Sequence, residues 1–437
     1  MKVIEVDVQV KGEKLFVSIE GNEAERLWYK TDLLSPLTDR ALSPHLTELL
    51  EFFLALYACD RLVKRSPRSW KRCFNVRFPV ADVARWNAAK YVIEQLIWQS
   101  MGDEVAVIPT RRADGDIHAD RRASHLVLDY EQPATVVMLS EGLDSFCGAY
   151  QAARARNEHV AFTSIITNKR KWPRFATISQ GLLANIYTPG RLHFHNAEWH
   201  LEEAPRGQER TQRSRTMLAI ATGLTVAYAY GTQRMIISEN GMGILNIPNP
   251  ALQSKHEASQ VLHPSNMKPW RELSRALLNG AAIEYPNRFK TKSEMCMELP
   301  EYAHEQIRET SSCDAPQRAD AQQDCGVCGS CVYRQLALNQ SGLSSYDTVY
   351  SSRPQKCFPY DPWDVLAYQA AELRKCLNES EHFGRQWDAL IETFPTLQSS
   401  IVGEDSSERA HEVQETIMLI SRHIKEVLQP TTLANAV

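Results

Sequence analysis

The chain has 437 residues, room for two or three domains at about 150 residues each. Hydrophobic residues make up 43% and charged residues 23%, ordinary globular usage that can bury a large core without disulfide staples. Lys and Arg total 49 against 53 Asp and Glu; the resulting net charge of −4 argues against a dedicated, sequence-independent duplex-DNA binder.

Val3 to Val10 and Lys14 to Ile19 alternate apolar and polar residues around Lys11-Gly12-Glu13, the pattern of a β-hairpin. Glu5 and Asp7 interrupt the apolar run that a signal peptide needs, and nothing approaches the ~18 consecutive apolar residues of a membrane span. The expectation is a soluble, cytoplasmic protein with reduced thiols and no membrane partner. Pro44 to Val63 has helical spacing, Cys73 to Val80 returns to alternation, and Ala81 to Trp98 is helical again. Short strands are predicted at Val105 to Ile108 and His125 to Leu128, with a polar loop from Arg111 to Asp116 between them. This N-terminal α+β region, 1–130, carries no catalytic motif.

The pattern changes at Gln132-Pro133. Strands at Thr135–Leu139, Val160–Ile166, Arg191–Phe194 and Met235–Ser238 alternate with helices at Asp144–Ala155, Ala176–Asn185 and Arg215–Tyr230. That alternation predicts α/β architecture with a doubly wound parallel sheet, in which ligands bind at the carboxyl ends of the strands. Lys290 to Tyr350 is polar, Cys-rich and loop-like, and Asp361 to Val437 is mainly helical with an acidic break at Gly403-Glu404-Asp405-Ser406-Ser407. The expected divisions are 1–130, 131–345 and 346–437.

Two motifs carry chemistry. In Val137-Met138-Leu139-Ser140-Glu141-Gly142-Leu143-Asp144-Ser145 a buried strand runs into a helix through small and hydroxylic residues. Backbone N–H groups there can approach a phosphate at the helix N-terminus, while Asp144 caps the helix or helps to hold a magnesium–pyrophosphate. An ordinary βα turn capped by Asp144 and Ser145 is the alternative. No G-K-[ST] follows, so it is not a Walker A loop. The second motif is Cys313-x11-Cys325-x2-Cys328-x2-Cys331, a four-thiol set suited to a closed, tetrahedral, structural zinc site. An iron–sulfur cluster is the alternative ligand. Cys59, Cys73, Cys147, Cys296, Cys357 and Cys376 are left as free thiols.

The first motif resembles the pyrophosphate loop S-G-G-x-D-S of the ATP pyrophosphatases, with Glu141 in place of the first glycine. Together with Thr310-Ser311-Ser312-Cys313 and Cys325-Gly326-Val327-Cys328-Gly329-Ser330-Cys331-Val332-Tyr333-Arg334, it resembles the QueC family, the 7-cyano-7-deazaguanine synthases. The resemblance runs from about Thr135 to Ala337. The added N- and C-terminal regions make the chain more similar to longer QueC-like proteins of bacterial anti-phage operons, the QatC type.

The resemblance implies an adenine-nucleotide α-hydrolase (PP-loop) fold and ATP-dependent adenylation of a 7-deazaguanine carboxylate, followed by transfer to ammonia or to a partner's amine. It implies ATP and Mg2+ at Ser140, Glu141, Gly142, Leu143, Asp144 and Ser145. Arg213 or Arg215, near the family's R-N pair, would hold the α-phosphate. Glu239, Asn240 and Gly241 suit a base- or carboxylate-binding loop. Lys268 and Arg271 are the basic residues assigned to a carboxylate or pyrophosphate. Asp144, Ser145, Arg213 and Lys268 are thus the catalytic candidates, and an operon-encoded protein is the expected partner. The family's G-Y-P-D-C-R substrate loop is not preserved at Asn246-Ile247-Pro248-Asn249-Pro250. Three further readings stay open: a degenerate nucleotide- or deazaguanine-binding subunit of a defence complex, blocked by Glu141; a 7-cyano-7-deazaguanine synthase of queuosine biosynthesis; and a tRNA-thiolating pyrophosphatase, which the net charge disfavours. His193, His195 and His200 alternate near one strand and read as outward side chains rather than a metal face.

Overall fold

The structure, a computed structural model, describes residues 2–11, 14–22, 25–29, 44–66, 70–113, 135–155, 159–166, 172–186, 191–201, 209, 213–248, 260–278, 280–313, 323–351 and 361–429. The N-terminal part runs β1 (Val3–Lys11), β2 (Lys14–Ile19), β3 (Glu25–Tyr29), α1 (Pro44–Leu62), β4 (Cys73–Val80), α2 (Val83–Met101) and β5 (Glu104–Arg111). Then follow β6 (Thr135–Met138), α3 (Leu143–Ala155), β7 (Val160–Ile166), α4 (Trp172–Asn185), β8 (Leu192–Leu201), α5 (Arg215–Tyr230) and β9 (Arg234–Ile236). After these come α6 (Gly241–Leu245), α7 (Met267–Leu278), β10 (Ala282–Glu284), α8 (Lys292–Met297) and α9 (Gly329–Gln340). The chain closes on α10 (Pro362–Asn378), α11 (Phe383–Thr393) and α12 (Ser406–Leu428).

The ten strands of the described residues join one sheet, in the order β10-β9-β6-β7-β8-β3-β2-β1-β4-β5. Strands β10, β9, β6, β7 and β8 are parallel, as the strand–helix alternation predicts. From β6 the chain winds outward through β7 and β8, and α5 then carries it back to β9 on the other side of β6. That reversal falls between β6 and β9, and open α/β sheets bind ligands in the crevice at the carboxyl ends of the strands at such a point.

The sheet also runs through the boundary at residue 130. Strand β3 pairs antiparallel with β8, placing Leu27 opposite Leu201 and Tyr29 opposite Trp199. One apolar cluster contains Phe53 of α1, Trp86 of α2, Leu224 of α5 and Trp270 of α7. Each such fully buried side chain contributes about 1.5–3 kcal/mol. A buried ion network adds to this join. Arg72 reaches both Asp60 and Asp103 at 2.6 Å, and Arg65 reaches Asp103 at 2.7 Å. The other Asp60 oxygen accepts from the Ser214 amide (3.0 Å) and hydroxyl (2.9 Å) at the start of α5. Burial opposes ionisation of Asp60, but Arg72 and the Ser214 amide hold its pKa below the usual range.

Several elements differ from expectation. The strand expected at Arg191–Phe194 continues to Leu201, because β3 offers it a partner. Strands β3 and β10 and helix α7 were not expected. The stretch from Lys290 to Tyr350, expected to be loop-like, contains α8, a 3-10 segment over Glu301–Glu309, and α9. Elements this short carry little periodicity, and of the three only α8 begins with a side-chain cap. The acidic break before the last helix is its cap: the Asp405 side chain accepts from the Glu408 amide (2.9 Å). The strand expected at His125–Leu128, and Cys357, lie outside the described residues. Among the described residues no helix is long and apolar enough to cross a membrane.

Candidate functional site

The loop after β6 is folded back on its own hydroxyls. The Ser140 amide donates to Ser145 Oγ (2.7 Å), Ser145 Oγ donates to Met138 O (3.1 Å), and the Gly142 amide donates to Ser140 Oγ (3.1 Å). The Phe146 amide then closes the first turn of α3 on Gly142 O (3.0 Å). Asp144 lies in that first turn, where the helix dipole favours an anion. Gly148, one turn further, packs so closely on Ser238 that a Cβ would have no room. The start of α3 is thereby pressed against the end of β9.

At that contact three chain segments bring ionisable groups together. Asp144 Oδ2 lies 3.2 Å from Lys292 Nζ and accepts from Asn240 Nδ2 (2.9 Å). Asn240 Nδ2 also donates to Glu239 Oε1 (2.9 Å), and Asn240 Oδ1 accepts from the Gly243 amide (2.9 Å) and from the Tyr333 hydroxyl (3.2 Å). Lys292 Nζ sits 5.1 Å from the centre of the Tyr333 ring, a cation–π distance. Asp144, Asn240 and Lys292 are buried, while Glu239 keeps partial solvent contact.

Their charge states follow from the geometry. Burial penalises the Asp144 carboxylate, but Lys292 overrides that penalty and holds its pKa below the ordinary value. Burial likewise opposes the Lys292 ammonium, and Asp144 and Glu239 restore it, leaving the pKa raised. Desolvation and the Asp144 charge together push Glu239 well above the carboxylate range. Asp144 Oδ1 is buried and accepts no hydrogen bond. Cys147 and Cys296 pack beside this cluster, and burial pushes the Cys147 thiol far up, away from nucleophile chemistry.

The second expected site also assembles. The sulfurs of Cys313, Cys325, Cys328 and Cys331 all lie within 4.8 Å of one another, so the group can hold a tetrahedral metal such as zinc. Without a cation the thiols compete for protons: hydrogen bonds with Cys313 and Cys328, then burial, push Cys331 up. Gly326 turns the knot with φ +73° under the Tyr350 ring. Asp324, next to Cys325, accepts from Ser311 Oγ (2.6 Å) and the Ser312 amide (3.2 Å). The Ser311 amide in turn donates to Glu141 O (2.8 Å) in the loop after β6. The knot thus supports that loop directly. On the other side it starts α9, whose Arg334 is fully buried and bonds Thr310 Oγ1, Ile307 O and Asp347 Oδ1.

Of the expected site residues, the structure brings together Ser140, Glu141, Gly142, Leu143, Asp144 and Ser145 with Glu239, Asn240 and Gly241. It places the cationic candidates elsewhere. Arg213 is buried in the network with Asp60 and Asp103, 4.8 Å from the Trp70 ring, and donates to Met101 O (3.3 Å). Burial first, then Arg65, lowers its pKa to about 10. Arg215 is exposed at the start of α5. Lys268 and Arg271 lie on α7 and face Glu272 (4.0 Å) and Glu404 (3.9 Å), with the Lys268 side chain 83% exposed. The cation that does meet Asp144 is Lys292, which sequence reading passed over. Its one legible signal is the capping box Thr291-x-x-Glu294, which announces a helix inside a segment read as loop. His193 stacks on His159, and His195 bonds the Tyr230 hydroxyl (2.7 Å). Searches against protein-family models, curated proteins and solved structures give no match.

Two outcomes follow for the site. Elemental analysis of the purified chain should find about one zinc per chain, and Cys328→Ser should remove the metal and lower the thermal midpoint by several degrees. His423 of α12 is buried with neither ring nitrogen hydrogen-bonded, its ring edge-on to Tyr333 at 5.6 Å. Burial lowers its pKa from an ordinary 6.5 to about 4, so unfolding takes up a proton between those values. The stability present above pH 6.5 should fall by up to about 3 kcal/mol as the pH drops to 4, and urea unfolding of His423→Phe should show a flatter profile.

Proposed function

We propose that the chain is a QueC-like, PP-loop enzyme that activates a 7-deazaguanine carboxylate with ATP and passes it to an amine. The observation that supports this best is the meeting of Asp144, Glu239 and Lys292 in the crevice between β6 and β9. A carboxylate oxygen attacks the α-phosphorus, the bond to the bridging oxygen breaks, and pyrophosphate leaves. The amine then attacks the acyl carbon of the adenylate, AMP departs, and a proton is lost from nitrogen. Ammonia or an amine on an operon-encoded protein partner supplies that nitrogen.

The chain's own share is positioning and charge. The amides of Ser140 and Gly142, now held by loop hydroxyls, are the donors that turn to phosphate oxygens. Lys292 offsets charge that develops on the transferring phosphate. Asn240 and Glu239 line the neighbouring loop, where they meet the heterocycle or its carboxylate. Asp144, whose Oδ1 accepts no hydrogen bond, and Glu239 are the oxygen donors that would hold a magnesium ion entering with the nucleotide, and that ion would offset charge on the leaving pyrophosphate. Arg213, held by Trp70 and Met101, and Lys268, exposed on α7, both lie away from Asp144 and have no part in the reaction. The anti-phage setting rests on the two added regions, which provide surface for a larger acceptor.

Glu141, where the related loops have glycine, supports a second reading, a subunit that binds nucleotide without turning it over. The test is incubation with ATP, magnesium, the deazaguanine carboxylate and ammonium, with AMP and pyrophosphate measured. The wild-type chain should form both, and Asp144→Asn and Lys292→Met should each lower the rate by about 100-fold or more. Nucleotide binding without AMP formation in the wild type, together with turnover in Glu141→Gly, would favour the second reading.

A further inference from the structure

The helices after residue 361 do more than pack on the outside of the fold. Helix α12 touches the segment that carries Lys292 at several successive points. Thr291, the residue before Lys292, donates its hydroxyl to Glu426 Oε1 (2.6 Å), and Thr291 Oγ1 itself accepts from the Glu294 amide (3.2 Å). Arg422 lies 2.8 Å from Glu294 Oε1 through Nε, and its Nη2 donates to Phe289 O (2.6 Å). One end of the segment is held as well: Arg288 Nη2 donates to Glu412 Oε1 (2.6 Å). The spacing of Glu412, Leu419, His423 and Glu426 puts them along one side of the helix. Leu419 packs tightly against Gly241, and His423 supports the Tyr333 ring that lies under Lys292.

Helix α8 has only six residues, too few to hold its own geometry. Its capping box satisfies local amides, but Glu426 and Arg422 fix both partners of that box from outside. We propose that α12 is a built-in part of the site, with Glu426 and Arg422 as positioning residues that hold Lys292 against Asp144. This rests on the reading of Lys292 as the phosphate-facing cation. It gives the C-terminal region a role inside the active centre, separate from any partner it binds. Burial lifts Glu426 to about 7, so the desolvated carboxyl is held there by its hydrogen bonds rather than by solvent.

The test reads Lys292 itself and needs no turnover. The full chain is acetylated briefly with acetic anhydride, and labelling at each lysine is followed by mass spectrometry. Lys292 should be nearly inert in the wild type, while the exposed Lys268 reacts freely. In Glu426→Ala and Arg422→Ala, labelling of Lys292 should rise about tenfold, as expected when a buried hydrogen bond to a charged group is lost. Glu426→Gln, which keeps the acceptor oxygen, should stay within about twofold of wild type. Thr291→Val, which leaves α12 untouched, should show the same rise as Glu426→Ala. Unchanged Lys292 labelling in Glu426→Ala, Arg422→Ala and Thr291→Val would overturn the proposal. So would a rise accompanied by iodoacetamide labelling of the buried Cys59 in α1, which reports global unfolding. A wild-type chain that makes no AMP but shows the labelling pattern would sink the adenylation reading and leave the positioning role standing.

Discussion

The ion pair between Asp144 and Lys292 is the constraint on which the rest of the site depends. Two opposite charges, both buried, are stable only while they stay together; an unpaired partner would be left with several kcal/mol of desolvation. Asp144 comes from the first turn of α3 and Lys292 from α8, far apart in the chain. Everything near them serves to keep that distance short. Gly148 lets α3 close on β9, Asn240 bridges Asp144 and Glu239, and Tyr333 covers the ammonium. Beside the pair, burial and the Asp144 charge together push the second carboxyl, Glu239, well above the ordinary carboxylate range.

Two outer supports converge on this pair from opposite directions. The cysteine knot fixes the loop after β6 through Asp324 and Ser311, and it starts α9, which delivers Tyr333. Helix α12 fixes the segment from Arg288 to Glu294. The N-terminal region contributes differently. By adding β3 to β8 and burying Arg213 against Trp70, it becomes continuous with the sheet that carries the site. Its charges, Asp60, Asp103, Arg65 and Arg72, hold the start of α5.

What was legible in the sequence was local. The strand–helix alternation after Thr135 and the clustering of four cysteines were legible, and the structure has both the parallel strands and the four-thiol group. Glu239 and Asn240 were legible because they follow a strand, and strand ends face the crevice. The cations were not. A basic residue carries no sequence mark of which carboxylate it will face. Arg213 and Lys268 stand at plausible positions along the chain, yet one is captured by Trp70 and Met101 and the other is left in solvent. Lys292 sits in a helix of six residues, too short for periodicity, with only its capping box to signal order. The pairing of β3 with β8 and the contacts of α12 join residues more than a hundred positions apart, which no window of local pattern reaches.

We propose that the carboxyl ends of β6 and β9 take the triphosphate of ATP. A crystal structure of the full chain with magnesium and an α,β-methylene ATP analogue tests it most directly. Phosphate density is expected against the amides of Ser140 to Gly142, with Lys292 within reach of the α-phosphate and Asp144 and Glu239 toward the metal. A nucleotide bound elsewhere, or a crevice that stays without one at saturating concentration, would contradict it.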